Sequence, residues 1–264
     1  MIEYPPLMPY VERYAGLRCE PLVIRLYLEI GSQLAGYDPL HLDNLLARCV
    51  VNEATEWEGL SPENGQEGYL LPVPLARLWV NPRGYPLWAA TPFQPGLGAE
   101  GDVQYWHKRR QTGRWTRTAR GTFSMPPARG RWMERRVPVP TVVAPYWEAT
   151  CVGNAREIAR LLEQIRYAGK RRSVGLGAVH HWEIAAASEG FALVRNGRLT
   201  RPLPALAVEL LDGAMPVGAP APVGWTPPQW QSGLWAPGWW AGTEVTHDWF
   251  TAATHLSAPP DERR

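Results

Sequence analysis

An α+β fold of ferredoxin-like type is predicted by three features of the 264-residue sequence. An alternating apolar run is followed by a helix-spaced run near the N-terminus, and a second strand-helix-strand pattern lies between residues 137 and 187. A strongly basic stretch separates the two halves, as an insertion would. The organisation read from this pattern is an N-terminal extension over residues 1–20, a main domain over 21–215 carrying a basic arm at 102–136, and a Trp/Pro-rich C-terminal segment over 216–264, its last residues disordered.

Leu22, Ile24, Leu26, Leu28 and Ile30 alternate with Val23, Arg25, Tyr27 and Glu29, the period-two signature of a strand with one face on the core. Beyond the Gly31 to Gly36 turn, Asp38 is placed to cap a helix with Pro39 at its first position. Leu42, Leu45, Leu46, Cys49 and Val50 then fall on one helical face. Between residues 70 and 90 short apolar runs broken by Pro72, Pro74, Pro82 and Pro86 predict one or two strands with interrupted edges. Val139, Val142, Val143, Tyr146, Trp147 and Val152 return to strand-type residues. Asn154 with Glu157 forms a capping-box pattern, and Ile158, Leu161, Leu162 and Ile165 mark a helix running to about Ala168. A glycine-rich basic loop follows, and residues 178–187 alternate as another strand.

Composition narrows the function. A hydrophobic fraction of 45% suffices for a core, while 14 Trp, 27 Pro and 25 Gly argue for long ordered loops and against a helix bundle. The N-terminus carries Glu3, Pro5, Pro6 and Pro9 where a signal peptide needs a basic start and an apolar run. No stretch approaches the roughly 18 apolar residues of a membrane span, so a cytoplasmic protein with no membrane partner is expected. Cys19, Cys49 and Cys151 are odd in number and widely spaced. Reduced, mostly buried thiols are expected, with no disulfide framework, metal site or cofactor.

The net charge is only +2, but its distribution is uneven. Gly169-Lys170-Arg171-Arg172-Ser173-Val174-Gly175-Leu176-Gly177 joins a helix to a strand. Glycines bring backbone N–H groups close to a ligand, and three consecutive cations offer phosphate partners. It is no nucleotide-binding P-loop, because no Gly-Lys-Ser/Thr opens a following helix. The loop alone equally suits a turn whose cations complement a helix C-terminus. The arm adds Lys108, Arg109, Arg110, Arg114, Arg117, Arg120, Arg129, Arg131, Arg135 and Arg136 against the single acid Glu134 after Asp102, interleaved with Tyr105, Trp106, Trp115, Phe123 and Trp132. Cations among aromatics supply the electrostatic and stacking surfaces used on single-stranded RNA. Ten like charges predict an arm that is loose until RNA binds.

The helix entry Pro39-Leu40-His41-Leu42-Asp43-Asn44-Leu45-Leu46-Ala47, the glycine-rich loop with Ala178-Val179, and Trp182-Glu183 together resemble the RAMP superfamily of CRISPR proteins, most nearly the Cas-five-type subunit of type IV complexes. Arg195-Asn196-Gly197-Arg198, Arg201-Pro202-Leu203-Pro204 and Gly224-Trp225-Thr226-Pro227-Pro228-Gln229-Trp230 are similar to that subfamily's downstream segments, so the resemblance covers about residues 21–230. It implies an RRM-like RAMP fold and a non-catalytic subunit that holds the five-prime handle of the guide RNA (crRNA) and caps the backbone filament. The implied partners are a Cas-seven-type backbone subunit, a large-subunit-like protein and, through the complex, target DNA. The loop residues Lys170, Arg171, Arg172, Ser173, Gly175 and Gly177 match the family's RNA loop. The arm residues Lys108, Arg109, Arg110, Arg114, Arg117 and Arg120 match by position and composition only.

Two other functions stay open. His180 and His181 adjoin the loop and Tyr167 precedes it; the resemblance implies a metal-independent endoribonuclease processing precursor crRNA as an alternative, since some members of that superfamily use His or Tyr near this loop as general acid or base, with His107 a looser candidate. Strand alternation sends His180 and His181 to opposite faces, so one at most reaches RNA. Asp38, Asp43 and Glu53 read as a helix cap and a solvated helix face. The tryptophans between residues 225 and 240 fit either a protein-protein scaffold or an internal cover for a bare sheet.

Overall fold

The computed structural model describes residues 4–36, 39–56, 68–108, 116–117, 123–124 and 135–246; for residues 108, 116–117 and 123–124 only the backbone is described. The fold is α+β, with several small antiparallel sheets and few helices. In chain order the elements are α1 (Met8–Ala15), β1 (Glu20–Leu28), β2 (Leu34–Ala35), α2 (Leu42–Ala54), β3 (Arg77–Val80), β4 (Pro86–Trp88), β5 (Gln94–Pro95) and β6 (Glu100–Lys108). There follow β7 (Thr116–Arg117), β8 (Phe123–Ser124), β9 (Arg135–Val143), β10 (Trp147–Gly153), α3 (Ala155–Leu162) and β11 (Val179–Ala186). The C-terminal third holds the short strands β12 (Val194–Arg195), β13 (Arg198–Leu199), β14 (Leu203–Pro204), β15 (Met215–Pro216), β16 (Ala221–Val223), β17 (Ala236–Trp239) and β18 (Val245–Thr246).

The central sheet has the order β11-β1-β10-β5, every neighbouring pair antiparallel. Helix α2 lies between β1 and β5 in the chain, and α3 between β10 and β11. Alternation along β1 works as the sequence predicts as far as Leu26: Leu22, Ile24 and Leu26 are buried, while Val23, Arg25 and Tyr27 lie on the more open face. Leu28 is only half-buried, and Ile30, beyond the end of the strand, is fully exposed rather than on the core face. Leu42, Leu45, Leu46, Cys49 and Val50 of α2 and Ile158, Leu161 and Leu162 of α3 close over the same core. Full burial of each large side chain here contributes about 1.5–3 kcal/mol relative to exposure. Asn154 caps α3, its side-chain oxygen accepting from the Glu157 N–H at 3.0 Å. Leu7, just before α1, is also fully buried in this core.

Three expectations are corrected. Helix α2 begins at Leu42, with His41 extended as its N-cap, rather than at Pro39. Residues 39–41 are held by pairing, since Leu40 C=O accepts from Phe93 N–H and His41 bridges to Pro92; Asp38 lies outside the described residues. Helix α3 ends at Leu162 rather than near Ala168, because Arg166 and Ala168 bond backbone to backbone with Val179 and Gly177. Finally, the β-type run after residue 136 is two strands, β9 and β10, belonging to different sheets.

A second core gathers Tyr85 and Leu87 of the β3–β4 hairpin with Leu199, Leu203, Leu211, Val223, Trp225, Leu234 and Trp239. β17 pairs with both β14 and β16, so the Trp/Pro-rich segment is knitted to residues before 216. Trp225 and Trp239 are internal, whereas Trp230, Trp235 and Trp240 are exposed. The two cores meet at Arg201, which is 1% exposed. Its guanidinium donates to the carbonyls of Trp88, Ala90 (3.1 Å) and Trp225 (2.7 Å) and to Asp43 Oδ2 (3.1 Å). Gln229 holds the other Asp43 oxygen at 3.0 Å. Asp43 is therefore no solvated residue: it is buried as the counter-ion of Arg201. Nor is Glu53 merely solvated, since it accepts from Arg160, Gln164 and Tyr10.

Candidate nucleic-acid interface

The glycine-rich loop grows from a short ladder. Ala168 N–H donates to Gly177 C=O at 2.8 Å, Val179 N–H to Arg166 C=O at 3.0 Å, and Tyr167 bridges to Ala178. Gly169, Gly175 and Gly177 all have positive φ, and Arg171 sits in the left-handed region at φ 60°, a conformation of order 1 kcal/mol or more unfavourable for a non-glycine residue. A Cβ on Gly177 would lie 1.8 Å from the Ala168 carbonyl oxygen, so glycine is required by both space and φ. Arg172–Val174 form one 3-10 turn, closed by Gly175. The chain is thereby forced outward: Lys170, Arg171, Arg172, Ser173 and Gly175 are exposed, while Gly177 is buried.

Leu176 anchors the loop. It is buried against Ala35 of β2 and Val139 of β9. Gly177 N–H donates to Gln33 C=O at 2.9 Å, and the Gln33 side chain accepts from Gln104 of β6 at 3.1 Å. The loop is thus docked at the root of the arm, joining the two basic features that the sequence presents far apart.

The arm leaves the protein as a ribbon. β6 and β9 pair antiparallel from Glu100↔Val143 to Lys108↔Arg135. Pro138 and Pro140 cannot donate, yet the ladder survives. Pro140 C=O accepts from Gly36 N–H, so its backbone polar face is turned away from β6, as is that of Pro138 two residues earlier. Residues 102–108 and 135–136 are therefore regular strand where the charge count predicts a loose arm. Repulsion is offset there by cross-strand contacts, including the Arg136 guanidinium 3.8 Å from the Tyr105 ring centroid. Tyr105 and Trp106 are exposed on this ribbon. Lys108 is the last residue of β6, and Arg117 pairs with Phe123 in the β7–β8 ladder. Arg109, Arg110, Arg114 and Arg120 lie outside the described residues.

The histidines depart from simple alternation. The β1–β11 register shifts between Tyr27 and Leu28, and His180 has no partner in it. This bulge brings both rings to the surface with centroids 4.9 Å apart, rather than on opposite faces. His181 stacks on Tyr27 at 4.3 Å, and His180 Nδ1 is 3.5 Å from Glu29 Oε1.

Beside the loop opens a groove of about 970 Å³ along α2, floored by Phe93 and Trp147 and bordered by Arg48, Arg166, Lys170 and Arg172. Partial burial, and then the nearby Arg48 charge, hold Arg172 below the ordinary arginine range. Arg48 and Arg166 are residues that the sequence reading passed over. Arg48 sits one turn from Asn44 and from Asn52 as the only cation on α2, which is the signal that marks it. Cys49 and Cys151 are buried free thiols, their pKa values pushed up to about 12 by burial, and Cys19 is half-buried. Among the described residues no three His, Cys, Asp or Glu side chains gather as metal ligands, and no helix is long and apolar enough to cross a membrane. No family model matches the chain, and no curated protein matches it.

Proposed function

We propose that this chain is a non-catalytic, crRNA-binding subunit of a type IV-like CRISPR ribonucleoprotein, gripping the five-prime handle and capping a backbone of Cas-seven-type subunits. The observation that carries the reading is the exposed Lys170-Arg171-Arg172 turn docked by Leu176 at the root of a basic ribbon. Convergent cations beside exposed aromatics suit a single-stranded polyanion. The strand order supports a ferredoxin-like RAMP core: numbered along the two strand-helix halves, β11-β1-β10-β5 runs fourth, first, third, second, as in a split β-α-β fold.

Purification of the chain with and without its guide RNA and candidate neighbouring subunits tests this. Co-elution of RNA whose five-prime end is protected is the expected result. Co-elution of protein partners alone favours a scaffold built on the exposed Trp230, Trp235 and Trp240. A second reading, a metal-independent endoribonuclease, is favoured by the juxtaposed His180 and His181. Under the proposal, repeat RNA incubated with the chain in EDTA stays intact; a discrete product that disappears in His180→Ala or His181→Ala replaces it with the enzyme.

A further inference from the structure

The groove along α2 has a chemistry that the loop does not share. Asn44, Arg48 and Asn52 stand at four-residue intervals on α2 and form one polar stripe along its wall. The floor is aromatic, through Phe93 and Trp147, and no carboxylate lines it among the described residues. Trp147 is 7% exposed, and its indole nitrogen is buried with no hydrogen-bond partner among those residues. Arg48 and Arg172 stand near one another on the rim, two like charges that a phosphate would bridge. Aromatic floor, carboxamides able to read a base edge, cations at the mouth and a volume of this size belong to a nucleotide site.

We propose that this groove binds a nucleotide, its base against Phe93 and Trp147, its base edge on Asn44 and Asn52, and its phosphate between Arg48 and Arg172. Under the RNA-binding reading on which the proposal builds, that nucleotide belongs to the guide RNA end, and the groove reads a base while the loop grips backbone. A free nucleotide has the same chemistry.

Isothermal titration of the full chain with the four nucleoside 5′-monophosphates, and with a short single-stranded RNA, separates these sources. The variants are Arg48→Gln, Asn52→Leu and Trp147→Phe, each checked for an unchanged thermal transition. Arg48 and Asn52 lie at the helix surface, so the test survives a Trp147 variant that fails to fold. Arg48→Gln is expected to weaken binding by about tenfold, Asn52→Leu to alter the preference among the four bases, and 4-thiouridine in the RNA to crosslink at Phe93 or Trp147. RNA binding unchanged in Arg48→Gln and Asn52→Leu, with crosslinks elsewhere, overturns the groove assignment and leaves the RNA reading standing. Binding of monophosphates but not RNA keeps the groove as a free-nucleotide site and removes the RNA reading. Binding of neither overturns both.

Discussion

Two groups of arginines in this molecule have opposite fates. Arg201 is buried and held through both terminal nitrogens: three carbonyls and a carboxylate surround its guanidinium, only Nε lacking a partner among the described residues, and the charge joins two hydrophobic cores. Burial pulls its pKa below the ordinary value and Asp43 pushes it back up. Arg171 and Arg172 stand on a turn held outward by positive-φ residues, beside Lys170 and near Arg48, with no carboxylate ion pair recorded among the described residues. The difference teaches that residue type is a poor guide to role. Where acceptors converge, arginine is structural; where cations gather at an open surface, they raise the local potential for an anion.

The comparison breaks most visibly at Arg201. Arg201→Met strands the Asp43 carboxylate and three carbonyls, and is expected to lower unfolding free energy by about 3–5 kcal/mol, read as a shifted urea midpoint. A loss within about 0.5 kcal/mol, usual at open surface positions, would place Arg201 with the loop arginines. Within the loop, Gly177→Ala is expected to cost roughly 2–4 kcal/mol, combining strain at φ 73° with the Ala168 clash. Gly175→Ala, with φ 88° and open space around it, is expected to cost about 1–2 kcal/mol. Equal effects at the two glycines would deny that the base of the loop is fixed and its tip free.

A smaller effect follows at the α2–α3 junction. Hydrogen bonds from Arg160, with those from Gln164 and Tyr10 to Glu53 and from Tyr14 to Glu157, hold both carboxyls below the usual carboxylate range. Their folded pKa values lie below their unfolded ones, so the stabilisation is complete above about pH 4.3 and disappears as pH falls through the folded values. Glu157→Gln is expected to cost about 1–2 kcal/mol at neutral pH and to flatten the loss of thermal stability on acidification. An equally steep acid profile in the variant would remove Glu157 from the account. Smallest of all for stability is Lys170→Ala/Arg171→Ala/Arg172→Ala, expected within about 0.5 kcal/mol of the parent per site.

Local signals were legible in the sequence. Alternation gave β1 and β11, helical spacing gave the buried face of α2, Asn154 marked the start of α3, and the glycines marked the loop between α3 and β11. What was hidden depends on contacts between distant residues. Asp43 lies 158 positions from Arg201, so its burial as a counter-ion has no local trace. The His180 bulge follows from pairing with β1, and β5 is only two residues long, too short for a period. The arm's charge suggested looseness, yet β-pairing orders its root, because ladder hydrogen bonds and cross-strand contacts do not show in a charge count.

The central claim, that the outward loop supplies phosphate contacts to single-stranded RNA, is tested most directly by the salt dependence of binding. The chain and its Lys170→Ala/Arg171→Ala/Arg172→Ala variant are titrated with the same guide RNA end across a range of salt concentrations. Each lost phosphate contact lowers the slope of log K against log salt by about 0.7. The account predicts weaker binding by the variant and a slope shallower by up to about 2 units, with folding unchanged. Equal affinity and equal slope in the two proteins would contradict it.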